Sequence, residues 1–412
     1  MNENAHNGPI LGTFIEQGCT RVLAPEVINA ARLCLADWLA VAIGARAEEA
    51  GRRVRASIAA GQPRDGATVL FGSPAPAQQA ALANGTLAHC LDFDDTHISA
   101  TVHTSAPVWA AVLALAESRG AHDAAMLSAF ATGYEVAAHL GNGLGQPLTA
   151  RGWHGTGVFG RLGCAAACAS LLGLDTNAAQ HALALAATQA GGLTASFGTM
   201  AKPFHAGKAA MDGMLSATLA EAGLEGQPAV LEPGGGLDRT LFQGDSFELN
   251  TVDMGNTEIL NNSFKPYAAC HLTHPAIDAA RAMAIDPADV VAVRAYVNPV
   301  AKQITGSNTA PPDTPLAAKF DLGHCVALGL HGSSVSASEF RLPWTPEESL
   351  RRTARTVQVL AAPEMGYTAA RLEVDTKDGS TRSQSIEVAK GHPGNPMDWN
   401  DMWQKFDALV TP

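Results

Sequence analysis

The residues that could do acid–base chemistry stand in a few tight groups. The densest is LDFDDTHISATVH, residues 91–103, which places Asp92, Asp94, Asp95, Thr96, His97 and His103 between two apolar segments. Polar groups in such a setting must be solvated, paired with one another or put to use, because burying them unpaired is costly. Three chemistries fit. The loop could cap the following helix, with Asp or Thr as its N-cap. It could hold a metal, since Asp and His supply oxygen and nitrogen ligands, although neither an HExxH nor a facial-triad spacing is present. Or it could be an acid–base site in which carboxylates orient and tune histidines.

Three further groups carry similar chemistry. RGWHGTGVFG, residues 151–160, sets His154 among glycines ahead of a helical pattern; glycines let backbone approach a ligand, and helix N-termini attract anions. GTMAKPFHAGKAA, residues 198–210, brings Lys202 after a stretch, 176–201, that contains no Asp, Glu, Lys or Arg. A lysine there either snorkels or is a partly buried cation; His205 and Lys208 add charge beside it. NSFKPYAACHLTHPAID, residues 262–278, clusters Lys265, His271 and His274 near a change in sequence character, and ligand sites favour domain junctions. His324 and His331 follow in KFDLGHCVALGLHG, where a satisfied core histidine is the plainer reading. No dinucleotide fingerprint, P-loop or GxSxG elbow is present. The triple glycine at 234–236 lacks a following lysine and reads as a turn. His, Asp and Lys without a nucleotide motif favour proton chemistry on an anionic substrate, with no cofactor and no metal expected.

The elements that must position these residues are mostly helical. The chain has 412 residues, enough for two or three domains at roughly 150 residues each. It is 47% hydrophobic and 16% charged, which excludes a disordered chain. Ala- and Leu-rich helical patterns fill segments 25–44, 77–91, 107–119, 124–141, 157–173, 177–190 and 207–223. Stretch 176–201 is long enough to span a bilayer, but its Asn, Gln and His residues and paired glycines read better as a buried helix followed by a loop. After about residue 265 the pattern changes. Residues 289–298 and 355–360 alternate like strands, RLEVDT and SQSIEV flank a KDG turn as a hairpin, and helical pattern recurs at 272–284 and 317–330. The last segment, from about residue 396, is again an amphipathic helix.

Net charge is −12 (27 Lys+Arg against 39 Asp+Glu) with no basic tract, which argues against nucleic-acid or anionic-membrane partners. Seven scattered cysteines without CxxC argue against a disulfide framework, and with no signal-peptide pattern at the N-terminus a cytoplasmic protein is expected.

Seven motifs in order, DWLAVAIGA, NGTLAHCLDFDDTH, HTSAPVWAAVLALAE, GYEVAAHLG, GWHGTGVFG, ATQAGGLTASFGTMAKPFHAGKAAMDG and FKPYAACHLTHPAID, together resemble the MmgE/PrpD family over about residues 10–407. The resemblance implies a mainly α protein. Residues 1–265 plus 396–412 would form a large all-helical domain, and 266–395 a smaller α+β lid, with the site between them and two chains in a homodimer. It also implies a cofactor-independent enzyme acting on a small polycarboxylate. Carried over by motif, the site residues are Asp92, Thr96, His103, His154 and Lys202, with His271 on the lid side and His274 as the competing match. Lys265 and His324 join them as substrate contacts. An arginine that many relatives carry near His271 is missing, and His324 stands where they often have tyrosine. The shared reaction element is proton removal alpha to a carboxylate, with His103 as acid or base oriented by Asp92 and the developing charge stabilised by Lys202 and His154. A dehydratase of the 2-methylcitrate type is the first expectation, a cis-aconitate-type decarboxylase or iminodisuccinate-type epimerase the alternative. The remote alternative is a metal-dependent hydrolase built on Asp92, Asp94, Asp95 and His97.

Overall fold

Small residues on helix faces let backbones approach, and the first unit, Met1–Ser263, is built that way. The computed structural model describes residues 6–58, 66–243, 249, 252–255, 257–306, 311–341 and 343–411. Helices Ser105–Arg119, Asp123–Gly141, Gly155–Leu171 and Ala201–Glu221 pack with Ala77–Ala88 into a core dominated by alanine. Gly133 and Gly163 show why. A Cβ on Gly133 would lie 2.5 Å from the Gly163 carbonyl oxygen, and one on Gly163 would lie 2.6 Å from that of Gly133. Any larger residue would force these two helices apart.

Helix Pro25–Gly44 is long and apolar enough to cross a membrane by length and composition. It buries Asp37, and its Trp38 Nε1 donates to the Ala106 carbonyl oxygen at 3.1 Å. The uncharged stretch 176–201 divides as its sequence suggests, into helix Thr176–Ala187, capped by the Asp175 carboxylate, and a glycine-containing loop. The next helix departs from expectation. It begins at Ala201 rather than near residue 207, because Pro203 is tolerated in the first turn, where its missing N–H has no intrahelical role. Lys202 and His205 therefore lie on the helix and not ahead of it.

The second unit, Phe264–Pro412, holds a four-stranded sheet. Strand Val290–Val297 lies between Val357–Ala361, to which it is parallel, and Ala370–Thr376, to which it is antiparallel; Thr381–Ile386 completes the order at the far edge. Val293, Ala295 and Val297 face the same core as Ala370, Leu372 and Val374, closed by helices His274–Ala282 and Leu322–Leu330. The period of two that marks these strands in sequence thus reports one buried face. On the other face Arg294 pairs with Glu373 and Asp375. The expected hairpin forms around the KDG turn, with Gly379 at φ +83°.

Two domain expectations differ from this division. The break falls after Ser263, two residues before the expected boundary. The C-terminal helix, Trp399–Val410, falls with the second unit rather than with the helical one. Within that unit Lys390 Nζ reaches Asp401 at 2.7 Å, and Asp398 and Asp401 form a capping box at the start of the helix.

Candidate active site

The loop between helices Ala77–Ala88 and Ser105–Arg119 does not send its acidic residues to one place. Asp92 adopts φ +53°, a left-handed conformation that Asp tolerates better than most residues, and the chain beyond it alternates. Asp94 faces one network and Asp95 another. Asp95 Oδ2 accepts from Ser105 Oγ at 2.6 Å and Asn262 Nδ2 at 2.7 Å, while its backbone N–H donates to Asp37 at 3.0 Å. His97 Nε2 meets Glu258 at 3.0 Å. The grouping of Asp92, Asp94, Asp95 and His97 that a metal-dependent hydrolase would need therefore does not converge.

A different set does. Lys202 Nζ lies 2.6 Å from Asp92 Oδ1, and His103 Nε2 lies 3.7 Å from the same oxygen. His103 Nδ1 lies 3.2 Å from Asp94 Oδ2 and 3.3 Å from Thr96 Oγ1. His89 Nδ1 reaches the same Asp94 oxygen at 2.8 Å. Asp94, not Asp92, thus holds the inner nitrogen of His103, while Asp92 is the ion partner of Lys202. Lys202 stands in the first turn of its helix, where the macrodipole disfavours a cation, and the Asp92 carboxylate offsets this.

Helix Gly155–Leu171 brings in the next residues. His154 precedes it, donating its backbone N–H to the Gly192 carbonyl oxygen at 2.9 Å, and Thr156 Oγ1 accepts from the His103 backbone N–H at 3.0 Å. His154 Nδ1 and His205 Nδ1 are 3.1 Å apart, so one donates and the other accepts. Gly192, at φ +114°, makes room: a Cβ there would lie 3.4 Å from the His154 Cβ and from the His205 imidazole. The His154 ring stacks on His89 at 5.7 Å and meets the edge of Phe197 at 4.9 Å; Lys202 Nζ lies 5.4 Å from the Phe197 ring centre.

Charge follows from this geometry. Burial pushes Asp94 upward, but His89 and His103 outweigh it and hold its carboxyl well below the ordinary range. Among the described residues no carboxylate offsets the burial of His154, and burial with the neighbouring His89, Lys202 and His103 pushes it well down. His205 is pushed to about 4, by burial first and then by His89. The side chains of Asp92, His103 and Lys202 are 12–15% exposed and those of His89 and Asp94 at most 1%. A ligand can therefore touch the first three, while the other two stand behind them.

His89, Asp92, Asp94 and His103 each place one ligand-type atom within 4.8 Å of the others. The donor set is poor for a cation nonetheless. Lys202 already carries positive charge to Asp92, and both imidazoles direct Nδ1 to Asp94. A metal ion would have to displace the ammonium.

The remaining expected site residues belong to the second unit. Lys265 is buried. His274 is buried at the start of its helix, with Nε2 3.1 Å from the Ala269 carbonyl oxygen, so its ring is held by the backbone. His271, half-buried in the turn before it, is 4.9 Å away ring to ring and the more accessible of the pair. His324 packs against Phe340 and Trp344, lines a cavity of about 580 Å³ with Arg351 and Asp321, and is pushed to about 4 by burial.

Sequence reasoning missed His89 and Phe197 as parts of the first unit's cluster, took His205 only as charge near Lys202, and counted Asp94 only in the loop and in the metal alternative. His89 sits three residues before Asp92, but as the residue closing a helix it reads as an ordinary cap.

Comparison with known proteins agrees with the motifs. Residues 10–250 match the MmgE/PrpD N-terminal domain, and residues 267–412 match the MmgE/PrpD C-terminal domain. Curated relatives include cis-aconitate decarboxylase of Mus musculus, 26% identical over 84% of this chain and 74% of its own length. The cis-aconitate decarboxylase of Homo sapiens is 27% identical over 84% and 75%, and that of Aspergillus terreus 26% identical over 93% and 85%. With both family domains matched along nearly its whole length, the chain belongs to the MmgE/PrpD family.

Proposed function

We propose that the protein is a lyase that decarboxylates a small unsaturated polycarboxylate of the cis-aconitate type, without cofactor or metal. The observation that carries this reading is the agreement among relatives: proteins bearing the name cis-aconitate decarboxylase align with up to 93% of the chain. This favours the decarboxylase alternative over the 2-methylcitrate dehydratase that the motifs suggested first.

The chemistry asks for two things. When the bond to the departing carboxylate breaks, its electron pair is left on the adjacent carbon and spreads toward a neighbouring carboxylate. A cation must meet that charge, and an acid must return one proton to carbon. Lys202 is the cation. His103 is the acid: Asp94 holds its Nδ1–H, so the proton on Nε2, on the side of Asp92 and Lys202, is the mobile one. His154, its charged form disfavoured by burial and by the neighbouring cations, stays neutral and offers a hydrogen bond. Two histidines in unlike surroundings thereby take unlike protonation states, the usual way one site separates its roles. One proton is consumed and one CO2 leaves per turnover. The resemblance adds His271 to the residues that serve the reaction, and the active species is a homodimer.

The test is proton NMR of the chelator-treated protein in deuterium oxide with cis-aconitate. The expected result is CO2 and a dicarboxylate carrying one deuterium on carbon, lost in His103→Ala. Water loss from 2-methylcitrate with no turnover of cis-aconitate would instead establish the dehydratase, and abolition by chelator would overturn the metal-free reading.

A further inference from the structure

His89 has no part in the reaction as just described and cannot touch a substrate, since its side chain is fully buried. It is nonetheless the centre of the cluster. Its ring lies 4.5 Å from that of His103, edge to face, and is stacked on His154. Its Nδ1 shares one oxygen of Asp94 with His103 Nδ1 and is the nearer of the two, 2.8 against 3.2 Å. Its Nε2 is buried with no hydrogen-bond partner among the described residues. A purely space-filling position would be served by an apolar ring without that orphaned nitrogen.

We infer that His89 is a positioning residue: by sharing the Asp94 carboxylate with His103, it fixes which His103 nitrogen carries the mobile proton and how tightly that proton is held. The inference rests on the reading of His103 as the proton donor. Asp94 is ionised and can only accept, so both imidazoles must donate Nδ1–H to it. That leaves His103 Nε2 as the exchanging nitrogen. An oxygen divided between two donors neutralises each less than it would neutralise one alone. His89 thus keeps His103 a stronger acid than a lone Asp–His pair would be, which suits a group that must release its proton to carbon.

Groups from four elements face His103. Asp92, Asp94 and Thr96 come from its own loop, and Lys202 from helix Ala201–Glu221. Thr156 and His154 come from the start of helix Gly155–Leu171, and His89 from the end of helix Ala77–Ala88. Of these, His89 is the one whose replacement removes a competitor for Asp94 without touching the face open to a ligand.

The experiment follows the histidine ring carbons of 13C-histidine-labelled resting protein against pH, with the His103 signal assigned by its absence in His103→Ala. In His89→Ala the His103 midpoint rises by about one pH unit. In His89→Asn, whose amide nitrogen stands where Nδ1 stood, it stays near the wild-type value. In His89→Gln, whose amide nitrogen falls at the Nε2 position, it moves as in alanine. With cis-aconitate, kcat falls roughly tenfold in the Ala and Gln variants while KM holds and Asn retains activity, a smaller loss than the 10²–10⁴-fold expected on removing the acid itself. Coinciding His103 midpoints in all four proteins would overturn the inference and leave His89 a packing residue. If His89→Ala does not fold, the Asn and Gln variants decide alone. The titration needs no substrate, so it stands even if decarboxylation fails. A shifted midpoint with unchanged kcat would place the error in the role given to His103, not in that given to His89.

Discussion

Asp94 and Asp95 are neighbours in sequence, both essentially buried, and their surroundings push them in opposite directions. Asp94 meets two imidazoles, and their charge and hydrogen bonds overcome its burial and keep it ionised. Asp95 meets Asp37, Ser105, Asn262 and Cys34, so burial and then the like charge of Asp37 push it up to about 7. The first carboxylate belongs to the histidine cluster. The second ties the loop to helix Pro25–Gly44, to the start of helix Ser105–Arg119 and to the 262–263 segment, which Tyr134 Oη holds through Asn262 at 2.8 Å. One residue's offset separates an ionised carboxylate from a polar knot that holds the loop, and the partner, not the depth of burial, decides which is which.

Six substitutions would break or sharpen this contrast. The largest effect is expected on the reacting side. His103→Ala and Lys202→Ala should each lower kcat/KM by about 10²–10⁴-fold with the unfolding midpoint little changed; retention of activity in either would dissolve the assigned site.

Next come the two carboxylates. The native Asp95 holds its proton up to about pH 7, whereas an unfolded one loses it near the ordinary value of about 3.9. The folded state therefore binds more protons in that interval, and Asp95 makes the protein lose stability as pH rises from about 4 to about 7. Asp94 has the opposite sign. Its lowered native pKa gives stability that is present above the ordinary carboxylate value and lost as pH falls through the native one. Urea midpoints across pH 4–8 should lose the first slope in Asp95→Asn and keep it in Asp94→Asn. Identical profiles in both variants would show that the two residues share one environment.

Gly192→Ala tests how closely the second pair of histidines must approach. At φ +114° the added Cβ costs about 1–3 kcal/mol in unfolding free energy, and it presses on both His154 and His205. Activity should fall with stability there, whereas Asp95→Asn should leave activity nearly intact. The smallest effect belongs to Tyr134→Phe, which removes the hydroxyl that donates to Asn262 and should lower stability by about 1 kcal/mol with no change in kcat.

Much of this was legible in the sequence. Ala-rich helical periodicity gave the helices of the first unit because a core-facing stripe repeats with the helix whatever it packs against. The period-two pattern and the KDG turn gave the strands at 290–297, 370–376 and 381–386 for the same local reason. The residue types of Asp92, Thr96, His103, His154 and Lys202 named their own chemistry, and the first unit brings them together with His89 and Asp94. What the chain alone left open was direction. Whether Asp92 or Asp94 holds His103, whether Asp95 joins the cluster or the core, and that a helix-capping His89 lies against the imidazoles of His103 and His154 all depend on a left-handed turn at Asp92. They depend equally on partners more than fifty residues away, at Asp37, Asn262 and Lys202. Periodicity is a local property, readable one segment at a time. A proton's position is set by whatever charge lies within a few ångströms, and only the tertiary structure decides that.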